Sequence, residues 1–220
     1  MNRKKHVTGR GFDDNVRGWK KEIAPFERHP YTIGAESTAL LVIDMQRYFT
    51  EKGGHAYLPA TEDIMPRLQR LIAGFRKHGA PVVFTRHSHK KGEEGVLGIW
   101  WHDTIREGSE GSEIDPRLDV GSCPVIRKTR YSAFFGTGLE RILWTSGVRT
   151  VVISGVMTHL CCDTTARDAF VRDFQVVFLM DATATSDEEL HVSALRGLAD
   201  GFAEVLTCTE LERRLGWRKG

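Results

Sequence analysis

Residues 151–170 read VVISGVMTHLCCDTTARDAF, and the fold turns on this stretch. Val151 to Ser154 suit a buried parallel strand, and Gly155 breaks the run. A helical pattern then resumes with Cys161 and Cys162 near its first turn. A strand that turns tightly into a helix N-terminus is where open α/β sheets place their chemistry. Amide groups point outward there and the helix dipole favours negative charge, so a cysteine at that point is helped to ionise. The competing reading is two small core residues, the commoner fate of free cysteine. A base and a cation elsewhere in the chain decide between the two.

Working outward, ALLVIDMQRYF (39–49) opens with a continuous apolar run from Ala39 to Ile43, as expected of a strand covered on both faces. Asp44 follows directly. Ile64, Leu68, Leu71, Ile72 and Phe75 recur at a helical period, and Gly79 closes that helix. PVVFTRH (81–87) predicts a second strand running into HSHKKGEEG. Residues 92–122, rich in Gly and charge around IWWHDTI, form a long excursion of the kind that makes binding loops or lids. Cys123 to Ile126 predicts a third strand, followed by a helix in RKTRYSAFFGTGLERILWTSG. VVFLMDATAT is a strand, and a helix over Glu188 to Ala199 leads into AEVLTCTELERRL.

This alternation predicts an α/β protein: a doubly wound, mainly parallel sheet of about six strands flanked by helices, with right-handed crossovers. At 220 residues, one domain over 38–220 suffices. Residues 1–37 read as a polar, irregular arm in which only WKKEIAPFERHPY can pack, on the domain or on a second subunit.

With 31 basic and 29 acidic residues, nothing points to nucleic acid or an anionic membrane as partner. Four cysteines without CxxC spacing indicate a reducing, cytoplasmic setting. No apolar run reaches membrane-spanning length, and MNRKKHVTGRGFDDN has no apolar core to make it a signal peptide or anchor. Neither GxGxxG after the first strand nor a phosphate-cradling GKS or GKT occurs, so no nucleotide cofactor is expected.

The C-terminal ends of strands in such a sheet line one crevice. Asp44 ends the first strand, Lys128 lies just past the third, and Cys161 opens the helix after the fourth. A thiolate there attacks a carbonyl carbon, while Asp44 takes the thiol proton and returns it to the leaving group. Lys128 lowers the thiol pKa and keeps Asp44 ionised. Backbone N–H groups of Met157 and Cys161 stabilise the oxyanion. Each residue has a plainer alternative: Asp44 caps a turn, Lys128 is one surface lysine of many, Cys161 is core. Three coincidences at three strand ends are harder to accept than one.

DMQ after an apolar strand, KTRYSAFFGT, and GVMTHLCCDTTARDAF, in that order, resemble the isochorismatase-like cysteine hydrolase superfamily over about Ala39 to Leu211. The resemblance implies an Asp–Lys–Cys triad at Asp44, Lys128 and Cys161, with Cys162 a packing residue. It also implies a cis peptide between Val156 and Met157 that turns the Met157 amide into the oxyanion hole. Members divide by chemistry. Nicotinamidases, ureidoacrylate amidohydrolases and carbamoyl-amine hydrolases open a C–N bond through an acyl-enzyme; isochorismatases hydrolyse a vinyl ether without a nucleophile and typically carry Gly at the cysteine position. Cys161 favours the covalent route on a small amide or ureide. The alternatives are vinyl ether hydrolysis with Asp44 as general acid, and a catalytically silent binding or scaffold relative.

The resemblance also raises a metal. Nicotinamidases place Asp-x-His after the second strand and a further His downstream, holding a divalent metal. Here His87 stands in the Asp position, His89 keeps its place and His102 is the candidate third ligand for a metal such as zinc. His-x-His puts both rings on one face of an extended segment, which permits joint ligation; a solvated basic loop with Lys90 and Lys91 is the plainer reading. The altered ligand set counts against nicotinamide as substrate, and no cofactor is required. Tyr48, Trp100, Trp101, Arg130, Tyr131 and Phe134 are the pocket candidates. The paired tryptophans suit either a substrate wall or a subunit contact, and Arg130 either a substrate carboxylate or a structural ion pair. A small-molecule substrate is expected, and, as in relatives, a homo-oligomer, dimeric or tetrameric.

Overall fold

The computed structural model describes residues 9–28 and 30–218. Residues 1–8 lie outside them, and with them most of the segment read as neither signal peptide nor anchor.

In chain order, α1 (Phe12–Ile23) buries Phe12, Val16, Trp19 and Ile23 along one stripe. This corrects the expectation of an irregular arm: four apolar residues at helical spacing suffice when the other faces are solvated. β1 (Thr38–Ile43) is buried at all six positions. A short turn α2 (Arg47–Thr50) and the long α3 (Thr61–Lys77) follow, the latter burying the predicted Ile64, Leu68, Leu71, Ile72 and Phe75. Gly79 closes it at φ +69°, a conformation only glycine takes freely.

β2 (Val82–His87) leads into the long excursion, which carries α4 (Gly95–Trp101). Then come β3 (Val125–Lys128), α5 (Leu139–Thr145) and β4 (Thr150–Val156). A π turn over Thr158–Cys162 feeds α6 (Asp163–Phe170). β5 (Gln175–Ala184), α7 (Glu188–Gly201), β6 (Glu204–Leu206) and α8 (Cys208–Arg214) complete the chain. α7 starts on Asp187, whose side chain accepts from the Leu190 amide, and α8 on a Thr207–Glu210 capping box.

The six strands form one sheet in the order β3-β2-β1-β4-β5-β6, with every pair parallel. Strand order reverses between β1 and β4, and a crevice opens at such a switch point outside the carboxyl ends of the strands. Register then sets the neighbours. Ile43 pairs with Gly155 and His87 with Lys128, so four strand ends converge on one place. α1 packs against α7, on the domain itself. Among the described residues no helix is long and apolar enough to cross a membrane.

Candidate active site

β4 runs two residues past its predicted end at Ser154, through Gly155 to Val156. Gly155 sits at φ +105°, and a Cβ there would drive into the carbonyl oxygen of Ile43. Only glycine lets β4 lie this close to β1, and that closeness sets Cys161 opposite Asp44. Asp44 itself takes a left-handed φ of +47° as the chain leaves β1. Its side chain is wholly buried, with Oδ1 accepting from Thr85 Oγ1 at 2.6 Å.

Lys128, the last residue of β3, is equally buried. Its ammonium stands 2.6 Å from Asp44 Oδ2 and 3.2 Å from Cys161 Sγ. It also donates to the Arg130 carbonyl at 3.1 Å and to His87 Nδ1 at 3.2 Å. Burial opposes its charge, but Asp44 and the Cys161 sulfur outweigh that and hold it above the usual lysine range. Asp44, Lys128 and Cys161 thus come together as the strand ends predicted.

The thiol differs from expectation. Burial pushes Cys161 up to about 12; Lys128 pulls the other way, and Asp44 adds to the rise. Burial is the largest of these effects, so the balance favours the thiol over the thiolate, the lone lysine charge being shared with a carboxylate. Cys162 is fully buried with its sulfur toward the Ser154 carbonyl, a packing role as expected. The Val156–Met157 peptide is cis, as the resemblance implied, and Met157 lines the cleft beside Cys161.

The cleft over these groups has a volume of about 460 Å³. Tyr48, Trp101 and Tyr131 line it, with Trp101 Nε1 donating to Tyr131 Oη at 2.7 Å. Other predicted pocket residues lie elsewhere. Trp100 is 73% exposed and outside the lining, so only Trp101 is a wall. Arg130 donates to the carbonyls of Glu93 and Thr129, which pins the excursion rather than facing the cleft. Phe134 is core, stacked on Phe174.

Four contributors escaped the sequence reading. Thr85 orients Asp44, and Gln46 clasps the β2 end by accepting from the His87 amide at 2.8 Å and donating to its carbonyl at 3.0 Å. His55 and Asp103, 2.6 Å apart, frame the mouth with Tyr48. Thr85, two residues before His87 on β2, was findable from period-two alternation; the loop residues carried no signal.

Of the predicted metal ligands, His87 and His89 lie together, ring centroids 4.8 Å apart and both lining the cleft, but His102 does not join them. His89 Nε2 bonds the Thr129 carbonyl at 2.9 Å, and its Nδ1 is buried without a hydrogen-bond partner, a feature that favours ligation. His102, however, caps α4 in a left-handed conformation, exposed and outside the cleft lining. Among the described residues the one trio of donor atoms within 4.8 Å is Asp44, His87 and Cys161. Lys128 already holds a positive charge against all three. The histidine set does not fit a zinc site, which needs three protein ligands or more.

The isochorismatase domain family model matches residues 38–210. The chain belongs to the isochorismatase family. It is 42% identical over 182 residues to Nicotinamidase 3 of Arabidopsis thaliana, covering 80% of this chain and 88% of that one. To Enterobactin synthase component B of Escherichia coli (strain K12) it is 30% identical over 190 residues, 85% of this chain and 66% of the relative. The structure is similar to a cysteine hydrolase from Pseudomonas syringae pv. phaseolicola 1448A, with a TM-score of 0.81 and 28% identity, covering 85% and 96% of the two chains. It is also similar to a pyrazinamidase of Pyrococcus horikoshii in complex with zinc, at TM-score 0.70 and 30% identity over 78% and 99%. The chain is an isochorismatase-family hydrolase, its Asp, Lys and Cys adjacent.

Proposed function

We propose that this family member is a cysteine hydrolase that cleaves the C–N bond of a small planar amide or ureide through a thioester. The observation that carries the reading is the Lys128 ammonium bridging Asp44 Oδ2 and Cys161 Sγ, with Cys161 alone of the three lining the cleft. The likeness to Nicotinamidase 3 supports it, and the cleft volume suits a small substrate.

In this reading the thiol stays protonated until a carbonyl carbon lies against it. Sγ then bonds that carbon as its proton passes to Asp44. The oxyanion rests on the amides of Met157 and Cys161. Collapse breaks the C–N bond, and the leaving nitrogen takes the proton from Asp44. Water next attacks the thioester, giving a proton to Asp44; the acid leaves, and the sulfur recovers that proton. Lys128 remains an ammonium throughout and balances whichever neighbour is negative.

Intact-mass trapping across a panel of small amides and ureides tests this. One acyl adduct on Cys161, and a loss of at least about 1,000-fold in turnover for Cys161→Ala, is the expected result. A Cys161→Ala enzyme that keeps its turnover while Asp44→Ala loses it overturns the reading in favour of vinyl ether chemistry. A chain with neither adduct nor turnover on any substrate is the silent relative.

A further inference from the structure

His87 occupies the end of β2 and lines the cleft beside Cys161. Lys128 Nζ lies 3.2 Å from its Nδ1. An ammonium has only donors, so Nδ1 must accept and the ring proton must sit on Nε2. Gln46 fixes the backbone on both sides of the ring, and His89 packs edge-on at 4.8 Å between centroids. The ring is therefore held in one orientation and one tautomer. Its remaining nitrogen, an N–H donor, is left for the cleft. Burial and the neighbouring Lys128 push its pKa down to about 3, so the imidazole is neutral at working pH.

We infer that His87 is a specificity-determining residue whose Nε2–H donates a hydrogen bond to an acceptor on the substrate's acyl group, selecting planar aromatic amides that carry such an acceptor. The inference rests on the amide reading above. A buried donor left unpaired by a substrate without the acceptor costs binding, and that is how a site rejects the deficient analogue. The same lysine that balances the triad also sets the tautomer of the reading group, so one ammonium serves both chemistry and selection.

The test compares kcat/KM for picolinamide, nicotinamide and isonicotinamide, each relative to benzamide, in the unsubstituted enzyme and in His87→Leu. The three isomers move one ring nitrogen around the same skeleton. Any disturbance of Lys128 by the substitution affects every substrate alike and cancels in the ratio. At least one isomer-to-benzamide ratio is expected to fall about tenfold or more in His87→Leu, the worth of one hydrogen bond. His87→Gln, which keeps an N–H donor, is expected to recover part of that ratio. Where His87→Leu does not accumulate as folded protein, His87→Met takes its place with the same outcomes. Ratios equal in the two enzymes for all three isomers overturn the inference. So does an unsubstituted enzyme that turns over none of the four amides, even if ureides form adducts; absence of adducts from both classes overturns the amide reading as well.

Discussion

Thr85 and Asp44 hold one another by a reciprocal pair of hydrogen bonds. Thr85 Oγ1 donates to Asp44 Oδ1 at 2.6 Å, and the Asp44 amide donates back to that hydroxyl at 3.1 Å. One carboxylate oxygen is thereby tied down, leaving Oδ2 for the lysine and the thiol proton. Removing the hydroxyl frees the carboxyl to rotate and leaves a buried oxygen unpaired. Thr85→Val is expected to lower kcat about tenfold or more, with a smaller effect on KM, and Thr85→Ser to restore most of it. Steady-state kinetics of the two variants check this; equal losses in both would point to packing instead.

Cys161 and Asp44 give a second prediction, because Asp44 raises the thiol pKa while Lys128 lowers it. Asp44→Asn deletes the raising charge and keeps the lowering one. The pH midpoint for alkylation of Cys161 by iodoacetamide, which burial raises in the unsubstituted protein, is expected to move down in Asp44→Asn. Turnover of amides is expected to fall at least about 100-fold in the same protein, since the proposed proton carrier is gone. A more ionisable cysteine in a slower enzyme separates thiol ionisation from catalysis. A midpoint that rises or stays put would deny Asp44 its electrostatic role.

The sheet and the meeting of Asp44, Lys128 and Cys161 were legible because both rest on short-range patterns. Continuous apolar runs such as Ala39 to Ile43 mark strands buried on both faces, and polar residues at their ends fall at the crevice of any doubly wound sheet. β3 was displaced by two residues, since Val125–Lys128 is half exposed and has little apolar signal. α1 was missed for a related reason: one apolar residue per turn among charges looks irregular until a partner face is known. The pocket was harder still. Arg130 and Phe134 follow Lys128 closely in sequence, yet the chain turns them toward Glu93 and Phe174. His102 failed as a ligand because the end of α4 carries it out to solvent. Such directions depend on tertiary packing between segments far apart in the chain.

His87 links stability to acid. Its pKa is near 3 in the folded protein against an ordinary 6.5. A depressed folded pKa contributes stability that is present above the unfolded value and lost as pH falls through the window toward the folded one. Between about pH 6.5 and 3 the unfolded chain binds a proton that the folded site refuses, which costs up to about 1.4 kcal/mol per pH unit. His87→Gln removes this loss. Urea unfolding at pH 6.5, 5.5 and 4.5 is expected to show the unsubstituted protein losing more stability per pH unit than the variant. Parallel slopes would mean that His87 accepts its proton without unfolding.

Trp19 carries α1 to the turn beside Cys161. It is 1% exposed, its Nε1 donates to Glu188 Oε1 at 3.2 Å, and its ring lies 4.4 Å from that of His191. His191 in turn bonds Thr158 Oγ1 at 2.9 Å, and Thr158 is the residue after Met157 at the start of the π turn. α1 lies outside the region matched by the family, yet two side chains connect it to the backbone that would hold the oxyanion. Trp19→Ala is expected to cost about 3–5 kcal/mol of stability, as for other buried tryptophans. Well below its own melting temperature it is also expected to lower kcat more than KM, because the turn loses its backing while the cleft walls at Trp101 and Tyr131 stay in place. Trp19→Phe keeps the ring contact with His191 but not the bond to Glu188, and should recover kcat ahead of stability. A stability loss with kcat intact in Trp19→Ala would confine α1 to a structural role.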